Sequence, residues 1–137
     1  MIDDIILNKI QIIERCLLRI REEFEGNPEN LRNYTKQDSI ILNLQRASEA
    51  SIDLAMHLVA KMRLGLPQTS REAFDLLSTA QVISEGLAKR LKGMVGFRNI
   101  AVHDYQRLDL TIIQKIIEFH LNDFVAFTEQ VLRYNKI

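Results

Sequence analysis

The residues with the most chemical potential lie in "RNIAVHDY", Arg98–Tyr105, where an arginine, an asparagine, a histidine, an aspartate and a tyrosine fall within eight positions. Arginine stays protonated and offers forked, planar donors that fit phosphate oxygens. Histidine as a residue type titrates near neutrality and can move a proton to or from a ribose hydroxyl. Together Arg98 and His103 suit metal-free cleavage of RNA. The base activates a 2′-hydroxyl, which attacks the adjacent phosphorus, and the guanidinium stabilises the charge that develops. Asn99 can add a neutral donor.

Helical geometry complicates this picture. At 3.6 residues per turn Asn99 and His103 share a face, whereas Arg98 lies about 140° from His103 and Tyr105 falls within about 20° of Arg98. One straight helix therefore holds Arg98 and His103 too far apart to grip one atom easily. Either the helix ends near His103 and the chain bends back, or two copies pair this segment so that Arg98 of one faces His103 of the other. The plainer alternative is a solvated helix end in which Arg and His complement the dipole, and spacing alone favours it.

The elements that must position these groups read as helices. In a chain of 137 residues, 47% are hydrophobic, Gly and Pro together number seven (5 and 2), and Trp is absent. That profile suits one all-α domain over residues 1–137, with few of the turn signals an all-β fold needs. A first amphipathic helix spans Asp3 to about Glu25, apolar at Ile5, Ile6, Ile10, Ile13, Leu17, Ile20 and Phe24, and the turn "GNPEN" ends it. A second helix starts near Thr35, where "TKQD" resembles a cap, and runs to "LGLP" at Leu64–Pro67. A short third helix opens at Thr69 or Ser70, and Ser84 caps a fourth that leads into the motif. Asp109 caps a fifth helix that continues to Asn135 without a break. The expected architecture is a bundle of four long helices and one short one. The fifth helix is apolar on more than one face, which points to burial against a second copy of the chain and hence to a homodimer.

Charge and cysteine content narrow the function classes. Lys plus Arg and Asp plus Glu both number 18, so no global field attracts nucleic acid or anionic membrane. From Glu85 to Arg107, however, Lys89, Arg90, Lys92, Arg98 and Arg107 outnumber Glu85 and Asp104, which makes a local patch suited to a phosphate backbone. Cys16 is the single cysteine and reads as a small buried hydrophobe. No stretch reaches the ~18 apolar residues of a membrane span. The N-terminus lacks the basic region of a signal peptide, so a cytoplasmic protein without a membrane partner is expected.

Other polar residues invite structural readings first. Asp53 and His57 stand one helical turn apart and suggest a mutual hydrogen bond, with a second role in bracing the motif helix. His120, with Asp123 nearby, suits a surface or interface. Gly93 and Gly96 suggest close helix packing before Arg98. No His/Cys cluster points to a metal, and no cofactor is expected.

The motif follows the pattern Arg, four residues, His, any residue, Tyr, met by Arg98, His103 and Tyr105. With the flanks "KGMVGFRNIAVHDY" and "LQRASEASIDLAMHL", nearly the whole chain resembles HEPN-domain proteins of the HepT-like ribonuclease toxin family. The resemblance implies a homodimer whose motif helices meet at a cleft, metal-independent RNA cleavage by Arg98 and His103, and Asn99 as a polar helper. It further implies a type VII-like toxin–antitoxin system in which an MntA-type minimal nucleotidyltransferase silences the toxin by attaching AMP to Tyr105. Bulk and negative charge there would block the phosphate site beside Arg98. Two alternatives stay open: a non-catalytic helical partner of a nucleotidyltransferase that holds a nucleotide or substrate in the same groove, and a helical interaction module whose motif only caps a helix.

Overall fold

The structure, a computed structural model, describes residues 2–134. Six α-helices follow one another: α1 (Asp4–Phe24), α2 (Tyr34–Lys61), α3 (Ser70–Thr79), α4 (Glu85–His103), α5 (Leu110–Phe119) and α6 (Leu121–Arg133). Short 3₁₀ turns at Pro28–Arg32 and Tyr105–Arg107 join α1 to α2 and α4 to α5. The all-α bundle expected from the apolar spacing is what forms.

The helix starts are set by side chains that accept otherwise unpaired backbone N–H groups. Asp3 accepts from Ile6 at 2.8 Å, Thr69 from Glu72 at 3.2 Å, Ser84 from Leu87 at 3.2 Å and Asp109 from Thr111 at 2.8 Å. The second helix departs from expectation. Its cap is Asn33, extended between the 3₁₀ turn and α2, which accepts from Lys36 at 3.0 Å and starts the helix at Tyr34, one residue before "TKQD". α1 ends on Glu25 in the left-handed region (φ 53°), followed by Gly26 (φ 66°), a reversal glycine tolerates without steric penalty.

α1 and α2 pack antiparallel along their length. His57 and Lys61 near the end of α2 reach Asp3 at the start of α1 (2.8 and 3.0 Å), and Lys9 reaches Asp53 (3.3 Å). The expected Asp53–His57 bond is therefore absent. Two side chains on one helix lost a local partner to better-placed groups on its neighbour, and both brace α1 rather than the motif helix.

The core is apolar and contiguous: Ile6, Ile13 and Ile20 of α1 and Leu44, Leu54 and Leu58 of α2 are fully buried, as are Phe124 and Phe127 of α6. Phe74 of α3 meets Phe127 edge to face, with centroids 5.7 Å apart. Truncating one such ring to alanine costs about 3–5 kcal/mol. α4 is held against α2, α3 and α6, so the motif sits on the last two turns of a helix packed on several sides.

The long fifth helix is two helices. His120 leaves helical geometry (φ −124°, ψ −1°), its N–H still bonded to Ile116, and α6 begins at Leu121. Buried Asp123 stabilises the break, accepting from His120 Nδ1 at 3.0 Å and from Arg90 Nε of α4 at 2.8 Å. The expected terminus at Asn135 lies outside the described residues.

Candidate active site

α4 stops at His103, and this decides how the motif is used. Asp104 adopts φ −153°, ψ 59°, and the chain turns into the 3₁₀ segment Tyr105–Arg107. The helix ends at His103 and the backbone bends after it, but Arg98 and His103 both lie within α4, so the bend redirects Tyr105 and leaves the wide angle between Arg98 and His103 unrelieved within one chain. Tyr105 therefore does not share a face with Arg98, as a continued helix would require. Its side chain crosses to α2, where the hydroxyl donates a hydrogen bond to Asp38 Oδ1 at 2.7 Å.

Arg98 and Asn99 are linked directly. Arg98 Nε donates to Asn99 Oδ1 at 2.9 Å. This uses the inner nitrogen of the guanidinium and the asparagine oxygen. The two terminal nitrogens of Arg98 and the amide of Asn99 remain as donors, the arrangement an anion needs. Among the described residues no carboxylate pairs with Arg98. His103 is exposed at the helix C-terminus, and among the described residues no hydrogen bond engages it or joins it to Arg98.

The local positive charge is smaller than the residue count implied. Arg90 is bound to Asp123 (2.8 Å), Lys92 to Asp75 (2.7 Å) and Arg107 lies 3.6 Å from Asp104. Three of the five basic side chains are thus partly neutralised by acids. Asp123 and Asp75 come from other helices, which the count along one segment could not include. Arg98 is what the patch presents as an unneutralised fork.

Beside the motif, a groove of about 570 Å³ runs between α4 and α5, lined by Met94, Phe97, Ile100, Ile112 and Ile116 with Arg90 and His120 among its polar members. Its rim is apolar and open: Ile100 is 40% exposed and Ile112 54%. Gly93 lines it too, and a Cβ there would meet nothing within 4 Å, whereas one on Gly96 would come 3.2 Å from the Arg71 guanidinium. Within one chain, then, Gly93 does not serve the close helix packing expected of it.

The ionisation of Tyr105 is shifted. Burial pushes its phenol up to about 12, and the hydrogen bond and negative charge of Asp38 act in the same direction. Asp38 is the site residue sequence reasoning missed. It stands 67 positions from Tyr105 and was read only as part of an apparent cap. Asp53 and His57 lie on the face of α2 that meets α1 and belong to that contact. Among the described residues no three His, Cys, Asp or Glu side chains converge as a metal site would, and no helix is long and apolar enough to cross a membrane.

Comparison with known proteins gives this geometry a family. A family model described as ribonuclease HepT-like matches residues 6–131. The chain is 46% identical to the mRNA nuclease HepT of Shewanella oneidensis, over 94% of this chain and 97% of that protein. It is 28% identical to the tRNA nuclease HepT of Aphanizomenon flos-aquae, over 95% of this chain and 89% of that one. Among solved structures, the tri-AMPylated Shewanella oneidensis HEPN toxin in complex with MNT antitoxin superposes with a TM-score of 0.90 at 46% identity, covering 96% of this chain and 98% of that one. The chain thus belongs to the HepT-like ribonuclease family of HEPN-fold enzymes.

Proposed function

We propose that this chain is the toxin of a type VII-like toxin–antitoxin pair, a homodimeric, metal-independent RNA endonuclease whose working site combines Arg98 and His103 from two chains. The observation that carries the reading is the end of α4. It presents an unneutralised guanidinium, held at its inner nitrogen by Asn99, and an exposed imidazole one turn and a residue further on. His103 serves as the base that takes the 2′-hydroxyl proton. Arg98 and the Asn99 amide receive the charge that builds on the phosphate. The adjacent apolar groove, with open Gly93 at its edge, supports pairing of α4 with a second copy.

Silencing follows from Tyr105. A nucleotidyltransferase of the MntA type attaches AMP to its hydroxyl, which sets a phosphodiester anion and a nucleoside at the mouth of the site. The related Shewanella toxin, AMPylated and bound to an MNT antitoxin, supports this role.

The test is cleavage of RNA by the purified chain in the presence of chelator. His103→Ala is expected to lower turnover by about 10²–10⁴-fold and Arg98→Ala by about 10²–10³-fold. Arg98→Lys should recover little, because an ammonium lacks the fork. Wild-type rates in both alanine variants would overturn the assignment.

A further inference from the structure

The bond between Tyr105 and Asp38 bears on how the tyrosine becomes modified. A phenol attacks phosphorus only as its proton leaves, and at neutral pH this phenol is fully protonated. Its hydroxyl already points its hydrogen at a carboxylate 2.7 Å away. Desolvation and Asp38 together hold that proton on the oxygen, so free phenolate is scarcer here than on an ordinary tyrosine. The residue is nevertheless 44% exposed, so the site lies at the surface. A buried donor–acceptor pair would serve only the fold. A hydroxyl in a surface site, aimed by a charged acceptor on a different helix, is arranged as a group that will react.

We infer that Asp38 and Tyr105 form a two-residue nucleotidyl-acceptor site, in which Asp38 aims the Tyr105 hydroxyl and takes its proton as the nucleotide is transferred. The inference rests on the reading that Tyr105 is the modified residue. In the step, Tyr105 Oη bonds to the α-phosphorus of a nucleoside triphosphate, and the bond from that phosphorus to the bridging oxygen of the β-phosphate breaks. Pyrophosphate leaves with that electron pair, and the phenolic proton passes to Asp38 Oδ1 and then to water. A carboxylate is a weak base for a resting phenol. It becomes adequate as the new P–O bond draws electrons from the phenol oxygen, which is how general bases of mismatched strength act.

Among the described residues the hydrogen-bond partner of this hydroxyl is Asp38. Asp38 faces it from α2, and Asp104 and Arg107 flank it in sequence while paired with each other at 3.6 Å. Replacing Asp38 therefore removes the acceptor without exposing a substitute carboxylate among the described contacts. Asn can still accept the hydrogen bond through its oxygen but cannot take a proton, and Glu can do both from one methylene further out.

The experiment uses the full chain, the MNT antitoxin of Shewanella oneidensis and ATP, with intact mass read over time as added AMP. Asp38→Asn is expected to slow AMP addition by about 10²-fold or more, and Asp38→Glu to restore part of the loss, with thermal melting checking that each variant is folded. In parallel, the ¹³Cζ resonance of Tyr105 reports its protonation. It should remain mostly protonated at about pH 10.5 in the wild type, and in Asp38→Asn it should ionise at a lower pH than in the wild type but still above an ordinary tyrosine, because the desolvation remains. AMP addition to Asp38→Asn at the wild-type rate would overturn this inference alone. A wild-type chain that gains no AMP, or gains it after Tyr105→Phe, would overturn the choice of Tyr105 and this inference with it.

Discussion

Arg90 Nε donates to Asp123 Oδ1 at 2.8 Å, tying the helix that carries the motif to the first turn of α6. The aspartate is buried and shares its other oxygen with His120, while the arginine is about half exposed. This arrangement sets both the break between α5 and α6 and the wall of the groove beside the motif. Removing the carboxylate leaves a guanidinium and an imidazole without their shared acceptor. Because Arg90 can turn to water, the cost of Asp123→Ala is expected at about 1–3 kcal/mol, below that of a fully buried pair. Urea unfolding of the variant measures it. An unchanged midpoint would mean that apolar packing alone sets the break.

That break illustrates what the sequence could and could not convey. Nothing at His120 resembles a helix stop: there is no Gly or Pro, and apolar residues continue on both sides. What marks it is the pairing of buried Asp123 with half-exposed Arg90 on a helix some 30 positions earlier. The same reason hid the true partners of Asp53 and His57, which an i,i+4 rule paired with each other but which Lys9 and Asp3 engage from α1. Local signals did much better. The apolar spacing found α1 and α2, and Thr69, Ser84 and Asp109 cap the helices they were expected to cap. Arg98, Asn99, His103 and Tyr105 stood out as candidates because they lie within one short motif. Asp38 did not, because only the fold brings it to Tyr105.

Pairing of two chains can be tested at Gly93. It lies on the exposed side of α4 with free space where a side chain would be, so one chain tolerates a large residue there. Arginine is also the better helix former by roughly 0.6–1 kcal/mol. Gly93→Arg should therefore leave the chain folded but halve its mass in sedimentation and abolish RNA cleavage. A variant that stays dimeric and active would remove the composite site from the mechanism.

Loss of the Tyr105 hydroxyl separates silencing from catalysis. Tyr105→Phe deletes the acceptor oxygen and the bond to Asp38, at an expected cost of about 1 kcal/mol or less for a half-exposed hydrogen bond. The variant should melt close to the wild type and still cut RNA, while cells that also make the nucleotidyltransferase remain poisoned. Rescue of those cells equal to that seen with the wild type would place the off-switch on another residue.

Acid should weaken the fold in part through Asp3. The Ile6 N–H, then His57 and then Lys61 bond its carboxylate and hold it well below the usual carboxylate range. An aspartate whose folded value is depressed contributes its stability above its unfolded value of about 3.9, and loses it as pH falls from there toward the folded value. Asp3→Asn keeps a capping oxygen but no charge. Its melting temperature should therefore lie below that of the wild type from pH 7 down to about pH 5, and the gap should close as the solution becomes more acidic. Since His57 and Lys61 both come from the far end of α2, the closing gap reports the contact that fixes α1 against α2. A gap that stayed constant across the acid range would assign the loss to capping geometry and not to charge.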